Sequence, residues 1–534
     1  ALVEIRDPRD VAILDRMYSR GVLLGDQSER GWGLKYGTEF HMTNDSKLFP
    51  PLPKWEAQGY RPDEYGHWLK GDWRPVSSFD ILHSSFPEGA PPHERAATIT
   101  TRPGLLLSRD GIQAIRIEDI EDVAVPLYEG RMIGQFDFSQ KGWVSGKGRT
   151  AVWRDIPWSE KQIEPQYLMD VLTQRKESLK KYLTSLAKTR GKEFAEKEAK
   201  RLEDPTEFEA WWKQRQTRVA FMDVTSATNE RTTHGTYLRG FPCGNSAPVL
   251  FGGDSLAVAT TLCSFSYDFA ARARCGGLHL NYFVIEETPL PIPSTIPASL
   301  KIIARRLMAP SPTFAAAWER PADLAGDTSW HRLWALTPAE RLRLRVITDA
   351  VIAFLYGLAS DEVQWLYHAC DHPRSEANSN DFTSRLDPKG FWRVDKEKDP
   401  ELRHTVLAQV AYADLCAQGL EAFLTGPDGD GWQLPETLRL ADYGLGHDTR
   451  AQAPQPVAPR LGPRFLDWQL QKDPAQSWQE CEAHARQLDA LWSHARTLAG
   501  MSNAPSGPPS EKEAKPHDSP LPAKTEAQTY FVLE

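Results

Sequence analysis

Residues 218–250 read RVAFMDVTSATNERTTHGTYLRGFPCGNSAPVL. The apolar ends, Arg218 to Met222 and Pro248 to Leu250, predict strands, and the Thr-, Ser-, Asn- and Arg-rich middle predicts a polar turn presented between them. Shortly after it, the twenty residues SLAVATTLCSFSYDFAARAR (255–274) carry helical spacing. A polar turn on a strand-and-helix frame makes this stretch a mixed α/β unit, closed by the Pro-rich LNYFVIEETPLPIP (280–293), which reads as a further apolar, β-branched segment.

Working outward, the chain as a whole reads as α+β. Residues 1–24 are expected to form an N-terminal helix connecting to something upstream, with Asp7-Pro8 as its start and Val11, Ile13, Leu14 and Met17 as its apolar face. Residues 25–162 alternate short apolar runs with Gly, Pro and Asp and predict strands and turns. Residues 163–215 predict two helices, a hairpin inserted before the quoted stretch. Between 172 and 202 they hold ten Lys or Arg against four Glu, a local charge of +6. That charge suits either a solvated helix face or a phosphate-contacting arm. The α/β unit runs through 216–297, and 298–500 predict a mainly helical C-terminal part. Its clearest helix starts at Thr337, an N-cap, with Pro338 in the first helical position. Residues 501–534, rich in Pro, Ser, Lys and Glu, bury too little apolar surface to offset ordering and are expected to be a disordered tail.

Composition excludes several classes. The net charge of −9 over 534 residues argues against a coat of basic residues for non-specific nucleic-acid binding. There is no run of eighteen apolar residues and no apolar leader in the first thirty, so a cytoplasmic protein without a membrane span is expected. The six cysteines form no Cys-x-x-Cys and no Cys/His spacing able to close a tetrahedral zinc site. They are expected to be reduced core residues, and no metal is predicted. Ala at position 1 fits a processed protein or a fragment of something longer.

The search for catalytic motifs is negative. A phosphate loop, His-Glu-x-x-His and Gly-x-Ser-x-Gly are absent. The adjacent prolines of FPPL, APPH and GPPS lack the flanks of an amine-methylating loop, and no glycine-rich loop suits a nucleoside cofactor. Asp63, Glu64 and Lys70 faintly resemble a metal nuclease with the wrong spacing, and GPDGDGW (426–432) reads as a surface turn.

The candidate site is therefore a binding cluster. Arg218, Asp223, Thr225, Thr228, Asn229, Arg231, Thr232 and Asn245 fall within twenty-eight residues, and Arg272, Arg274, Gly276, Gly277, His279 and Asn281 follow. Arg, Asn and short hydroxyls can bond base edges or phosphates, and paired glycines let a ligand approach the backbone. The same residues can instead cap helices and organise turns, with Asp223 and Arg231 as a structural ion pair.

RVAFMDVTSATNERT (218–232), GNSAPVLFGG (244–253) and LCSFSYDFAARARCGGLHLNYFVIEETPLPIP (262–293) together resemble the TaqI-like specificity region of adenine-specific DNA methyltransferases and fused type IIG restriction–modification enzymes. Residues 25–49, 125–138 and 386–415 resemble the parts of large phage-defence methylases that follow the catalytic domain, so the likeness spans about residues 5–425. His279 stands where that family often has Thr or Asn, and Glu286 and Glu287 interrupt the exit. The resemblance implies that the chain is a target-recognition region without catalytic residues. The cluster would read duplex DNA while a catalytic methyltransferase domain, upstream in the same polypeptide or a separate subunit, uses S-adenosylmethionine. Other defence-system proteins are further expected partners. The readings that compete with it are a protein-interaction module of a defence complex and a nuclease built around Asp63.

Overall fold

Helix starts are local chemistry, and in the computed structural model, which describes residues 5–79, 103–318 and 328–498, both caps named from the sequence open helices. The Asp7 side chain accepts from the Arg9 amide and opens the helix Pro8–Arg20, and the Thr337 hydroxyl accepts from the Glu340 amide at the start of Pro338–Leu355. In the first helix Ile13, Leu14 and Met17 are buried, but Val11 faces outward. The expected tail, 501–534, lies outside the described residues.

The protein is α+β, with its strands in small antiparallel sheets. One four-stranded sheet runs Tyr167–Asp170, Ile120–Leu127, Trp68–Gly71, Arg61–Pro62. The second, which positions the candidate site, runs Gly235–Arg239, Thr217–Phe221, Val249–Phe251, Lys35–Gly37. Both strands expected at the ends of the quoted stretch are therefore neighbours in one sheet, with Val219 opposite Leu250. Gly21–Leu23 pairs with Pro289–Pro291, which ties the N-terminal helix to the end of the α/β unit.

Three helix readings need correction. The segment 255–274 is two helices, Ser255–Leu262 and Phe265–Arg274, because the Ser264 hydroxyl accepts from the Tyr267 amide and restarts the helix. The basic insertion is three helices, not two: Val171–Arg190, Lys192–Arg201 and Pro205–Gln216. Gly191, at φ 95°, breaks the first from the second, and the Asp204 side chain caps the third. Finally, the middle of LNYFVIEETPLPIP is a short helix, Tyr282–Glu286, and only Pro289–Pro291 is strand.

The C-terminal helices share the core of the sheets. One buried cluster extends from Ile13 through the second sheet to Ala495. The long helix Pro474–Leu498 returns to the first sheet, where the Tyr65 hydroxyl meets His484 Nδ1 at 2.8 Å and Trp492 packs edge-on to His67 at 5.1 Å. Five of the six cysteines are buried, whereas Cys416 is exposed. Among the described residues no helix is long and apolar enough to cross a membrane.

Candidate functional site

The fourteen predicted residues separate into a buried frame and an exposed rim. Arg218, 1% exposed, sends Nη1 to both carboxylate oxygens of Glu39 at 2.5 Å and Nη2 to the Arg215 carbonyl at 2.7 Å. Glu39 also accepts from the Cys243 amide, so this pair locks the second sheet to the preceding loop. Asn245 Oδ1 accepts from the Met42 amide at 2.9 Å.

Asp268 organises the rest of the frame. Its Oδ2 accepts from the amides of Thr232 at 2.8 Å and Thr233 at 2.9 Å and from the Thr233 hydroxyl at 3.0 Å. Arg272 Nη2 stands 2.9 Å from Asp268 Oδ1, and Arg231 Nε stands 3.6 Å from Oδ2. Burial pushes the Asp268 carboxyl up, but Arg272, Arg231 and the Thr233 donors outweigh it and hold the group below the usual carboxylate range. Arg231 also lies over the Phe265 ring at 4.0 Å, and Arg272 over Phe391 at 4.2 Å. Arg218, Arg231, Arg272, Thr225 and Thr232 are all buried and cannot reach base edges in this conformation, contrary to the sequence expectation. The Asp223–Arg231 pair of the alternative, structural reading does not form either: Arg231 pairs with Asp268, and Asp223 with His279.

Asp268 pins Thr232 and Thr233 and so anchors the end of the turn 223–230. Thr225 Oγ1 donates to the Thr232 carbonyl at 2.7 Å, and the Ser226 and Thr228 hydroxyls bond at 2.9 Å. Segment 275–281 runs alongside. Val224 and His279 form an antiparallel bridge, the Thr225 amide donates to the Leu278 carbonyl and the Leu280 amide to the Asp223 carbonyl, both at 2.9 Å. His279 Nδ1 lies 2.7 Å from Asp223 Oδ2, on an imidazole that is 52% exposed.

Segment 274–284 alone walls an open cavity of about 360 Å³, with Arg274, Gly276, Leu278, His279, Asn281 and Phe283 in its lining. Six predicted residues make up the exposed rim, Gly276, Gly277, His279 and Asn281 on the cavity wall and Thr228 and Asn229 on the adjoining turn, and Asp223 and Arg274 are half-buried. Arg274 is ion-paired to Glu287 and donates to the Tyr18 hydroxyl. Segment 386–394 packs beside the rim, where Arg393 donates to the Thr228 carbonyl and Arg272 to the Lys389 carbonyl.

Sequence reasoning missed the rim's apolar members. Val224, Leu278, Tyr282 and Phe283 are all exposed, Leu278 to 67%, and Tyr282 packs on Tyr36 at 4.8 Å. The signal present was a Tyr-Phe pair directly after Asn281, which was absorbed into an apolar strand reading.

The Asp63 patch is structural. Asp63 is buried, its Oδ1 accepts from the Tyr65 and His67 amides, and its Oδ2 lies 2.9 Å from His67 Nδ1. Burial pushes Glu64 up to about 8, and Lys70 pairs with Glu121 at 2.9 Å, so no carboxylate–lysine centre forms. The GPDGDGW segment is more than a surface turn: Asp430 reaches Arg306 at 2.5 Å and also pairs with Arg464. Compared with protein-family models, with curated proteins and with solved structures, the chain matches none.

Proposed function

We propose that this chain is a DNA target-recognition region that serves an adenine-specific methyltransferase of a restriction or phage-defence system in the cytoplasm, as the sequence resemblance implies. It holds duplex DNA and presents adenine to a catalytic domain that carries S-adenosylmethionine. The observation that carries the reading is the rim: the hydrogen-bonding groups of His279 and Asn281 stand exposed on the wall of an open cavity, and Asn229 is exposed on the adjoining turn, all on a buried frame. Such groups discriminate base edges, whereas the buried arginines keep the reading turn in place. Gly276 and Gly277 add support. Neither has a positive φ, and a Cβ at either would meet nothing within 4 Å, so the fold itself does not call for glycine and a closely approaching ligand would.

The basic helices fit an accessory role. Lys176, Lys188, Arg190, Lys197 and Lys200 are exposed, while Arg175 and Lys181 are tied to Glu209 and Asp45. Phosphate contacts from the exposed group would add affinity without sequence preference.

In filter binding of a duplex pool across a salt series, the chain is expected to select sequences and to weaken as salt rises. His279→Ala or Asn281→Ala should relax the preference at one position and cost about 1–3 kcal/mol. Lys197→Ala should weaken all sequences alike and reduce the salt slope by about one. No preference together with no salt slope overturns the reading. A second reading, a protein-interaction surface, draws on the exposed Val224, Leu278 and Phe283. Binding to a methyltransferase partner that survives high salt, with no DNA binding, would favour it.

A further inference from the structure

We propose that Asp371, His372 and His447 form a binding site for a divalent transition-metal ion of the zinc class. Their ligand atoms all lie within 4.8 Å of one another, and His447 Nε2 is already 3.0 Å from Asp371 Oδ2. Two imidazoles and a carboxylate are the donor set that borderline ions such as zinc, cobalt and nickel take. Bonds of about 2.0–2.1 Å to one ion put tetrahedral ligand atoms about 3.3 Å apart. Closing the set asks for an inward adjustment of about 1.5 Å at most, and His447 is half-exposed.

The surroundings are built as a ligand shell. The Gly446 amide donates to Asp371 Oδ2 at 2.8 Å and orients the carboxylate. Arg403 donates to the carbonyls of Cys370 at 2.7 Å and His372 at 2.6 Å, which fixes the backbone that carries both ligands. Phe382 stands edge-on to the His372 ring at 4.6 Å and limits its rotation. His372 Nδ1 is buried with no hydrogen-bond partner, an arrangement that costs free energy unless something occupies the site. The two imidazoles stack at 4.3 Å and 18°, and cationic rings so placed repel.

Three protein ligands leave at least one position open for water or for a group from outside. The site joins the turn after helix Ser360–Leu366 to the loop around Gly446, two segments otherwise linked here by the Gly446–Asp371 bond. A search by Cys and His spacing passes over it, because the second histidine arrives from a distant loop and the third ligand is Asp. The site is independent of the DNA-reading proposal.

The test uses the full chain stripped with a chelator and titrated with cobalt(II) chloride, followed by visible absorption and calorimetry. One cobalt per chain with ligand-field bands is expected, and zinc should displace it. His447→Ala should weaken binding by about tenfold or more, at least what loss of a supporting contact brings, while His41→Ala, another exposed histidine, should not. Zinc should raise the melting temperature of the parent chain and leave that of His447→Ala unchanged. His447→Gln repeats the comparison should the alanine variant fail to fold. Failure of the parent chain to bind cobalt or zinc, or equal binding by the His447 variant, overturns the proposal.

Discussion

Asp268→Ala is expected to cost the fold about 3–5 kcal/mol in urea denaturation, because it strands two buried guanidiniums, Arg231 and Arg272, without a counter-charge. The loss goes beyond the ion pairs. The amides of Thr232 and Thr233 lose their shared acceptor, and the turn 223–230 loses its anchor. Asp268→Asn keeps an acceptor oxygen and should fall between that variant and the parent. Asp223→Ala is the control: its partner His279 is half in solvent, so the expected cost is under about 1 kcal/mol. If Asp268→Ala were as stable as Asp223→Ala, the frame would not depend on that carboxylate. The contrast also separates stability from recognition, since loss of DNA selectivity without loss of stability is expected only at rim positions.

Glu340 is the second point of large effect. Its Oε1 accepts from Arg306 and Arg343 at 2.6 Å each, and its Oε2 from Arg343 at 2.9 Å and Arg464 at 2.7 Å, with Asp430 closing the network. Burial raises the Glu340 carboxyl, but Arg306, Arg343 and Arg464 overcome this and bring it down to about 2. A carboxyl depressed in the folded state contributes stability that is fully present above its unfolded value of 4.5 and is lost as pH falls towards 2. Glu340→Ala should therefore cost about 3–5 kcal/mol at neutral pH and flatten the fall in stability between those two values. Unfolding curves measured from pH 7 to pH 2 on both chains check this. An unchanged acid limb would mean that other carboxylates carry it.

What could be read from the residues depended on the range of the interaction. Caps at Asp7 and Thr337 are settled within three residues and were legible. So were the two strands on either side of the turn, since an apolar, β-branched run is local too, although their pairing was not. Ser264 was a missed cap of the same kind, hidden inside an apolar run that read as one helix. Ion partners were not legible. Arg218 finds Glu39 across 179 residues and Arg306 finds Asp430 across 124, and such pairs leave no periodic trace. The cluster of polar residues was thus found where it lies, but its division into frame and rim required knowing which arginines had buried carboxylates to meet. Asp268 itself lay inside the recognised helix and was passed over, as a single acid on a helix looks like any solvated charge.

The return of helix Pro474–Leu498 to the first sheet has a consequence for synthesis. Tyr65 and His484 are 419 residues apart, and at ribosomal speeds of about 5–20 residues per second tens of seconds separate their emergence. Throughout that interval the turn that holds Tyr65, between two strands of the first sheet, waits without its cover. A nascent chain of this design gains from a holding chaperone, and one stopped shortly before residue 474 leaves that turn open to aggregation.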